Sequence, residues 1–187
     1  MTHRVVVLAL WLAALAGAPA AAQSQDTPAE PPGYRMEDYR APTPATLAGA
    51  RVVTTAEAET LWQAGAAFVD VLPHVPRPAN LPPGTLWREK IRMDIPGSIW
   101  LPDTGYGALA AVTERYLRKG LERITGGDHA KWLVVYCLAD CWMSWNAAKR
   151  ALTLGYRNVA WYPDGTDGWE FDGLPLQEAK PAPADAE

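Results

Sequence analysis

The sequence predicts a single-domain α/β protein in which helices flank a central parallel sheet. Strand-like and helix-like patterns alternate between Arg51 and Tyr162, and this alternation is typical of parallel strands joined by right-handed helical crossovers. The run Trp132–Tyr136 has almost no polar interruption, as expected of a central strand covered on both faces. With 187 residues, the chain is long enough for one well-buried core.

Residues 1–22 are predicted to form a signal peptide that is cleaved after Ala22. Arg4 precedes the apolar run Val5–Leu15, and small residues lead up to Ala22, which is the order found in secretory signals. The apolar run is shorter than the roughly 20 residues that a membrane-spanning helix needs; an uncleaved anchor is the alternative. We therefore expect an exported protein without a stable membrane span after cleavage.

Two segments flank the predicted domain, which we place at residues 48–176. Residues 23–47 are rich in Pro and Ala, so we expect an extended linker or a strap on the domain surface. Its larger side chains could hold it in place: Tyr34, Met36 and Tyr39. Residues 177–187 contain no apolar side chain larger than Ala or Pro, and we expect them to be disordered.

Local signals indicate the first elements of the domain. Arg51–Val53 is a short strand, and Thr54 with Glu57 forms a capping box that begins a helix extending through Ala64. Gly65 ends this helix. Apolar patterns predict the later elements, in this order: strand Ala66–Val71, Pro-rich loop Leu72–Asp94, strand Ser98–Leu101, a helix from Leu109, strand Trp132–Tyr136, turn Cys137–Met143, helix Ser144–Leu154 and a last strand Asn158–Tyr162.

Composition excludes some classes of function. The formal net charge is −4, which argues against a nucleic-acid partner because such proteins present a basic patch. His74 and His129 lie in predicted loops, and we assign neither a role. Without nitrogen ligands near the two cysteines, a structural zinc site is not expected.

The chemistry is expected at Cys137 and Cys141. Cys137 follows the central strand and precedes a helix, and in open α/β sheets ligands gather at this kind of junction. The free N–H groups and the dipole of a helix start favour an anion, so they can lower the pKa of a cysteine from about 8.5. The alternative is a buried, inert cysteine.

A disulfide between these cysteines is a further alternative. Two cysteines in an exported protein ordinarily form one, but these are only four positions apart. Closing so small a loop contributes about 2 kcal/mol by the chain-entropy estimate. A purely structural bridge therefore explains the pair poorly.

Several segments resemble the rhodanese family, in the same order. They are Asp70 at the end of a strand, Ile95–Ile99 with Asp94 where His is usual, Val134–Cys137, Ala147–Lys149, Gly155–Val159, Gly165–Trp169 and Gly173–Pro175. The match covers roughly Arg51 to Leu176. This resemblance implies a rhodanese-like fold and sulfurtransferase chemistry, with Cys137 as the nucleophile.

A narrower resemblance rests on the Cys-x-x-x-Cys-Trp run. Cys137–Trp142, together with Tyr34–Met36, Leu81–Gly84 and Gly165–Trp169, is similar to the exported PQQ-dependent catabolism-associated CXXCW motif proteins. The resemblance implies a periplasmic accessory to quinoprotein alcohol oxidation. Its partner would be a redox protein or a protein of the quinoprotein pathway.

The binding loop departs from ordinary rhodaneses, which follow the nucleophile with residues that hold an anionic sulfur donor. This loop has no basic residue and contains Asp140; its residues are Leu138, Ala139, Asp140, Trp142, Met143 and Ser144. An adjacent carboxylate repels thiosulfate and raises the pKa of a thiol, while the helix terminus opposes it by about one pKa unit. Efficient sulfur transfer from thiosulfate to cyanide is therefore not expected.

Two hypotheses follow. In the first, Cys137 attacks and Cys141 resolves the resulting mixed disulfide or persulfide, as in a sulfurtransferase or a thiol–disulfide oxidoreductase that needs no cofactor for sulfur transfer. In the second, the site is a non-catalytic module that binds Cu(I) through two thiolates, an anion or a partner protein. Covalent haem is excluded because Trp142 stands where the Cys-x-x-Cys-His motif needs His. Four tryptophans could shield the site: Trp142, Trp145, Trp161 and Trp169.

Overall fold

A five-stranded parallel sheet forms the centre of the computed structural model, which describes residues 27–184. Its strand order is β1-β6-β5-β2-β4, and every pair of neighbours is parallel. A separate antiparallel ribbon joins β3 to β7. The elements are β1 Arg51–Val52, α1 Thr55–Gln63, β2 Ala67–Asp70, β3 Arg92–Asp94, β4 Ile99–Trp100, α2 Ala111–Thr125, β5 Leu133–Tyr136, α3 Trp142–Thr153, β6 Val159–Tyr162, α4 Gly165–Phe171 and β7 Gln177–Ala179.

Helices cover both faces of the sheet, which confirms the predicted α/β class with a central parallel sheet. Leu117 of α2 and Trp145 of α3 share one apolar cluster with Val135 of β5. Ala58 of α1 and Trp169 of α4 share the other. The side chains of β5 alternate between these clusters, and all four of its residues are buried, as its continuous apolar run requires.

Local sequence signals position several helix ends. Thr54 caps α1 through the reciprocal hydrogen bonds of the predicted capping box with Glu57, and Gly65 follows with a φ of 80°, a conformation that glycine adopts without strain. Helix α3 begins at Trp142, two residues before the expected start, with Cys141 as its N-cap.

The end of the domain differs from the sequence-based expectation. Gln177–Ala179, which we expected to be disordered, forms β7 and pairs with β3, so Asn158–Tyr162 does not contain the last strand. The prediction failed because this pairing rests on backbone hydrogen bonds, which need no apolar side chains. The predicted signal peptide and its cleavage site lie outside the described residues.

Candidate functional site

Cys137 and Cys141 form a disulfide where the central strand meets α3. Cys137 directly follows β5, and Cys141 is the N-cap residue of α3. Their Cα atoms are 6.3 Å apart. The exposed fractions of the two residues are 0% and 1%, so solvent does not reach the sulfur atoms in this conformation.

This arrangement differs from the expected accessible thiolate at Cys137. The helix begins after Cys141, so Cys141 takes the place at the positive end of the helix dipole that the sequence suggested for Cys137. Cys137 instead belongs to the apolar cluster on the α2 and α3 face of the sheet. The expected exposure of Cys137 was wrong, because Cys137 packs into the core at the end of β5 and the start of α4 closes over its carbonyl.

The loop between the cysteines is held by α4. Leu138 forms an isolated antiparallel bridge with Gly165, and the Ala139 N–H donates to Asp167 Oδ2 at 3.1 Å. Asp140 is exposed and has a φ of 51°, a left-handed conformation that Asp tolerates better than most residues. The loop is therefore ordered through its neighbours and presents the Asp140 carboxylate to solvent.

Carboxylates also surround this loop. Burial, followed by the charges of Asp140 and Asp172, raises the pKa of Asp164. Asp167 lies against the loop through its hydrogen bond to Ala139. A negative environment of this kind disfavours the approach of an anionic sulfur donor such as thiosulfate.

The last three predicted loop residues lie within α3 and are buried. The Ser144 hydroxyl donates to the Cys141 carbonyl at 2.8 Å and accepts from Trp161 Nε1 at 3.0 Å. Met143 packs against Gly105, where an added Cβ would overlap the Met143 backbone. These residues position Cys141 from inside the core and do not line an open pocket.

A segment formed by residues 34–47, here called the strap, covers the disulfide. Arg40 forms an antiparallel bridge with Cys141, and the Trp142 N–H donates to the Tyr39 carbonyl at 2.9 Å. Leu47, at the end of the strap, is buried in the same cluster as Cys137. The strap therefore covers Cys141 and the first turn of α3.

Side chains of α3 hold the strap along its length. Asn146 Oδ1 accepts from the Arg35 N–H at 2.9 Å, and its Nδ2 donates to the Arg35 carbonyl at 2.9 Å. Trp142 Nε1 donates to Pro42 and Trp145 Nε1 to Thr46. Of the anchors expected from the sequence, Tyr34 lies under the guanidinium of Arg150 and Tyr39 packs on the core, whereas Met36 is 61% exposed.

The four tryptophans are all buried, but only three lie near the disulfide. Trp142, Trp145 and Trp161 share its apolar cluster. Trp169 lies on the opposite face of the sheet, where its ring is 5.7 Å from that of Trp62. The expectation that Trp169 shields the site was therefore wrong.

A buried charged cluster lies beside the disulfide, at the ends of β2, β3 and β5. Arg92 Nε donates to Asp70 Oδ2 at 2.7 Å, and Arg92 Nη2 lies 3.5 Å from Asp94 Oδ1. The Tyr136 hydroxyl donates to Asp94 Oδ1 at 2.7 Å. Asp70 and Asp94 are 0% and 1% exposed.

Burial raises the pKa of both carboxyl groups. The Arg92 guanidinium and the Leu72 N–H oppose this effect at Asp70, so Asp70 is the carboxyl that stays ionised. Burial, reinforced by the charge of Asp70, raises the pKa of Asp94 to about 8. Two buried carboxylates beside one guanidinium would leave an unbalanced charge, so one of them retains a proton at neutral pH.

The carbonyl of Cys137 connects the charged cluster to the disulfide. It accepts from the Thr166 N–H at 3.1 Å and from Arg92 Nη2 at 3.4 Å. Gly165 approaches it so closely that an added Cβ would lie 2.7 Å from the Cys137 carbonyl carbon. Arg92 is a site residue that sequence reasoning missed, because a long Pro-rich loop separates it from Asp70 and no local pattern links the two.

The structure brings no third metal ligand to the cysteines. Within residues 27–184, no group of three or more His, Cys, Asp or Glu side chains could hold a metal ion, and binding of Cu(I) would first require reduction of the disulfide. His74 pairs with Glu89, and His129 stacks on Tyr156 at 4.4 Å. No helix in the described part of the chain is long and apolar enough to cross a membrane.

Comparisons with known proteins give matches among solved structures. No protein-family model and no curated protein matches the chain. A thiosulfate sulfurtransferase from Pseudomonas aeruginosa is 21% identical with a TM-score of 0.48, over 71% of this chain and 21% of that one. A polysulfide-sulfur transferase homodimer from Wolinella succinogenes is 19% identical with a TM-score of 0.45, over 70% and 80%.

An uncharacterized protein from Saccharomyces cerevisiae is also similar, at 21% identity and a TM-score of 0.40, over 66% of this chain and 93% of that one. The chain thus spans about a fifth of the length of the thiosulfate sulfurtransferase and most of the length of the other two.

Proposed function

We propose that the protein carries out thiol–disulfide exchange at the Cys137–Cys141 pair. The observation that carries this proposal is the disulfide at the junction of β5 and α3, with Cys141 at the helix N-terminus. Reduction of such a disulfide leaves the Cys141 sulfur at the N-terminus of α3, where the helix dipole stabilises a thiolate. Opening of the strap would also free the Trp142 N–H, which donates to the Tyr39 carbonyl in the closed form.

The position of Cys141 at the N-terminus of α3 supports an attacking role for it, which reverses the assignment made from the sequence. A thiolate at Cys141 attacks a partner disulfide, the partner S–S bond breaks, and a mixed disulfide forms. Cys137 then attacks the Cys141 sulfur, restores the internal disulfide and releases the partner as a dithiol. Two electrons pass from the cysteine pair to the partner.

Persulfide handling is a related form of the same chemistry. A persulfide on one cysteine, attacked by the other, would release hydrogen sulfide and leave the same internal disulfide. The carboxylates around the loop, Asp140, Asp164 and Asp167, disfavour small anionic donors, so a persulfide carried by a docked partner protein suits the site better than thiosulfate. Its outer sulfur would pass to a cysteine thiolate of this protein, and the partner would leave as a thiol.

Export and a biological setting are part of this proposal. The pattern of residues 1–22 supports export, and the resemblance carried by the Cys-x-x-x-Cys-Trp run supports a periplasmic role beside PQQ-dependent alcohol oxidation. A periplasmic redox protein or a quinoprotein-pathway protein would then be the partner.

The burial of both sulfur atoms favours a second candidate function. In it, the disulfide is a permanent element of a non-catalytic binding module. The two candidates differ in whether a folded protein can be reduced, because exchange requires the strap to move aside while the sheet stays intact.

The deciding experiment reduces the protein in thiol–disulfide buffers and follows both the redox state and the fold. We expect reversible reduction with an unchanged circular dichroism spectrum. Reduced Cys137→Ser should trap a mixed disulfide with a model disulfide substrate, and reduced Cys141→Ser should not. Reduction that occurs only together with unfolding would reject exchange and leave the structural bridge.

A further inference from the structure

The charged cluster of Asp70, Arg92 and Asp94 lies beside the disulfide, and the role inferred for it rests on the proposed function. Asp94 Oδ2 is buried, and no hydrogen-bond donor reaches it. A buried carboxylate oxygen without a donor is costly in free energy. The simplest way to satisfy this oxygen is a proton of its own.

The neighbours of Asp94 show where that proton goes. Tyr136, from β5, donates to Oδ1, and the Ser98 hydroxyl lies 2.7 Å from the same Tyr136 oxygen. Asp70, from β2, is the side chain that shares a hydrogen bond with the Asp94 carboxyl. A proton on the Asp94 carboxyl would therefore be shared with Asp70 and would join the two carboxyl groups.

The charge of the cluster depends on this proton. With Asp94 protonated, the negative Asp70 balances the positive Arg92; with Asp94 ionised, the cluster carries one net negative charge. Arg92 contacts the Cys137 carbonyl, so this charge acts directly beside the disulfide. Tyr136 is neutral throughout, because burial raises its pKa well above the usual value.

We propose that Asp94 is a positioning residue of the disulfide site, which holds a proton shared with Asp70 and thereby sets how readily a thiolate forms at the Cys137–Cys141 pair. Ionised Asp94 disfavours a nearby thiolate, whereas protonated Asp94 leaves Arg92 able to stabilise it. The disulfide itself is uncharged, so ionisation of Asp94 favours the oxidised form.

The test compares the wild type with Asp94→Asn, whose amide keeps a hydrogen-bond donor toward Asp70 but cannot ionise. Both are equilibrated with dithiothreitol, which supplies two electrons to break the S–S bond and becomes a cyclic disulfide. Its two protons pass to the cysteines, or to solvent where a sulfur stays ionised. Asp103→Asn is the matched control, because Asp103 is partly buried outside the cluster and its φ of 65° suits Asn.

We expect the wild type and Asp94→Asn to have equal equilibrium constants for reduction at about pH 6, where Asp94 is protonated. At about pH 9, where Asp94 is ionised, the equilibrium constant for reduction of the wild type should be about fivefold lower than that of Asp94→Asn. This is the effect expected of one negative charge in a partly polar interior. Asp103→Asn should follow the wild type. A purely structural role would shift Asp94→Asn by the same factor at every pH.

Infrared spectroscopy supplies an independent readout of the proton. The oxidised wild type should show the band of a protonated buried carboxyl group at neutral pH, and Asp94→Asn should lack it. Parallel pH profiles, or absence of the band with normal exchange, would overturn the role of Asp94 alone. A folded protein that never equilibrates with dithiothreitol would overturn the proposed function and, with it, the effect on the thiolate.

Discussion

Access to the disulfide should depend on how firmly Asn146 holds the strap. Asn146 is fully buried and makes two hydrogen bonds to the backbone of Arg35, each 2.9 Å long, and one to the Gly105 carbonyl at 3.0 Å. Only the first two connect α3 to the strap. Asn146→Ala removes them and leaves the Arg35 backbone without these partners.

The magnitude follows from these two bonds. A hydrogen bond contributes about 1 kcal/mol net, so closure of the strap should weaken by about 2 kcal/mol. Because about 1.4 kcal/mol corresponds to a factor of ten, the population with an open strap should rise about 30-fold. If local opening precedes reduction, the rate of reduction rises by the same factor.

The assay is the rate of disulfide reduction by a water-soluble phosphine in native buffer, followed by alkylation and mass spectrometry. Asn158→Ala is the control, because Asn158 Nδ2 donates to the Ala130 carbonyl at 2.6 Å, in no contact with the strap. Urea denaturation of both variants measures global stability. Rates that follow global stability alone, or an unchanged rate in Asn146→Ala, would refute opening of the strap.

Three further predictions concern stability. Reduction of the Cys137–Cys141 disulfide should lower the free energy of unfolding by about 2 kcal/mol, the value for a very short loop; urea titrations of oxidised and reduced protein measure this, and a loss above about 5 kcal/mol would indicate a structural staple. Gly165→Ala should destabilise the fold by about 3 kcal/mol, because a φ of 54° and an overlap with the Cys137 carbonyl combine; thermal unfolding checks it, and an unchanged midpoint would contradict the close approach. Asp94, with its pKa raised to about 8, binds a proton in the fold that the unfolded chain releases above about pH 4. Relative to Asp94→Asn, the free energy of unfolding of the wild type should therefore fall as the pH rises from about 4 to about 8, by at most about 1.4 kcal/mol per pH unit. Chemical denaturation across this range tests the sign.

The sequence predicted elements whose signals are local. The capping box of Thr54 and Glu57 determines where α1 begins, and the apolar run before Cys137 corresponds to a central strand. In both, the decisive residues lie within one turn or one strand of each other, so the pattern contains the necessary information. The α/β class follows from the alternation of such elements.

The surroundings of the cysteines depend on distant residues and were therefore missed. The strap that covers Cys141 lies about a hundred positions earlier in the chain. The charged cluster depends on Arg92, which approaches Asp70 only after the loop folds back. Neither approach has a periodic signature. The reversed roles that we propose for the cysteines have a smaller cause, because α3 begins at Trp142 instead of Ser144.

The site has two parts that depend on different stretches of the chain. One is the cysteine pair, and the other is the charged cluster around β3, which pairs with β7. Both cysteines, with β5 and α3, precede β7, whereas Arg92 and Asp94 lie on a strand whose antiparallel partner is Gln177–Ala179. A chain growing from its amino end can thus join the two sulfur atoms before the strand that carries Arg92 has found its neighbour. Joining the two sulfur atoms does not require β7, whereas the charge balance that we propose for Asp94 depends on a strand that pairs with it.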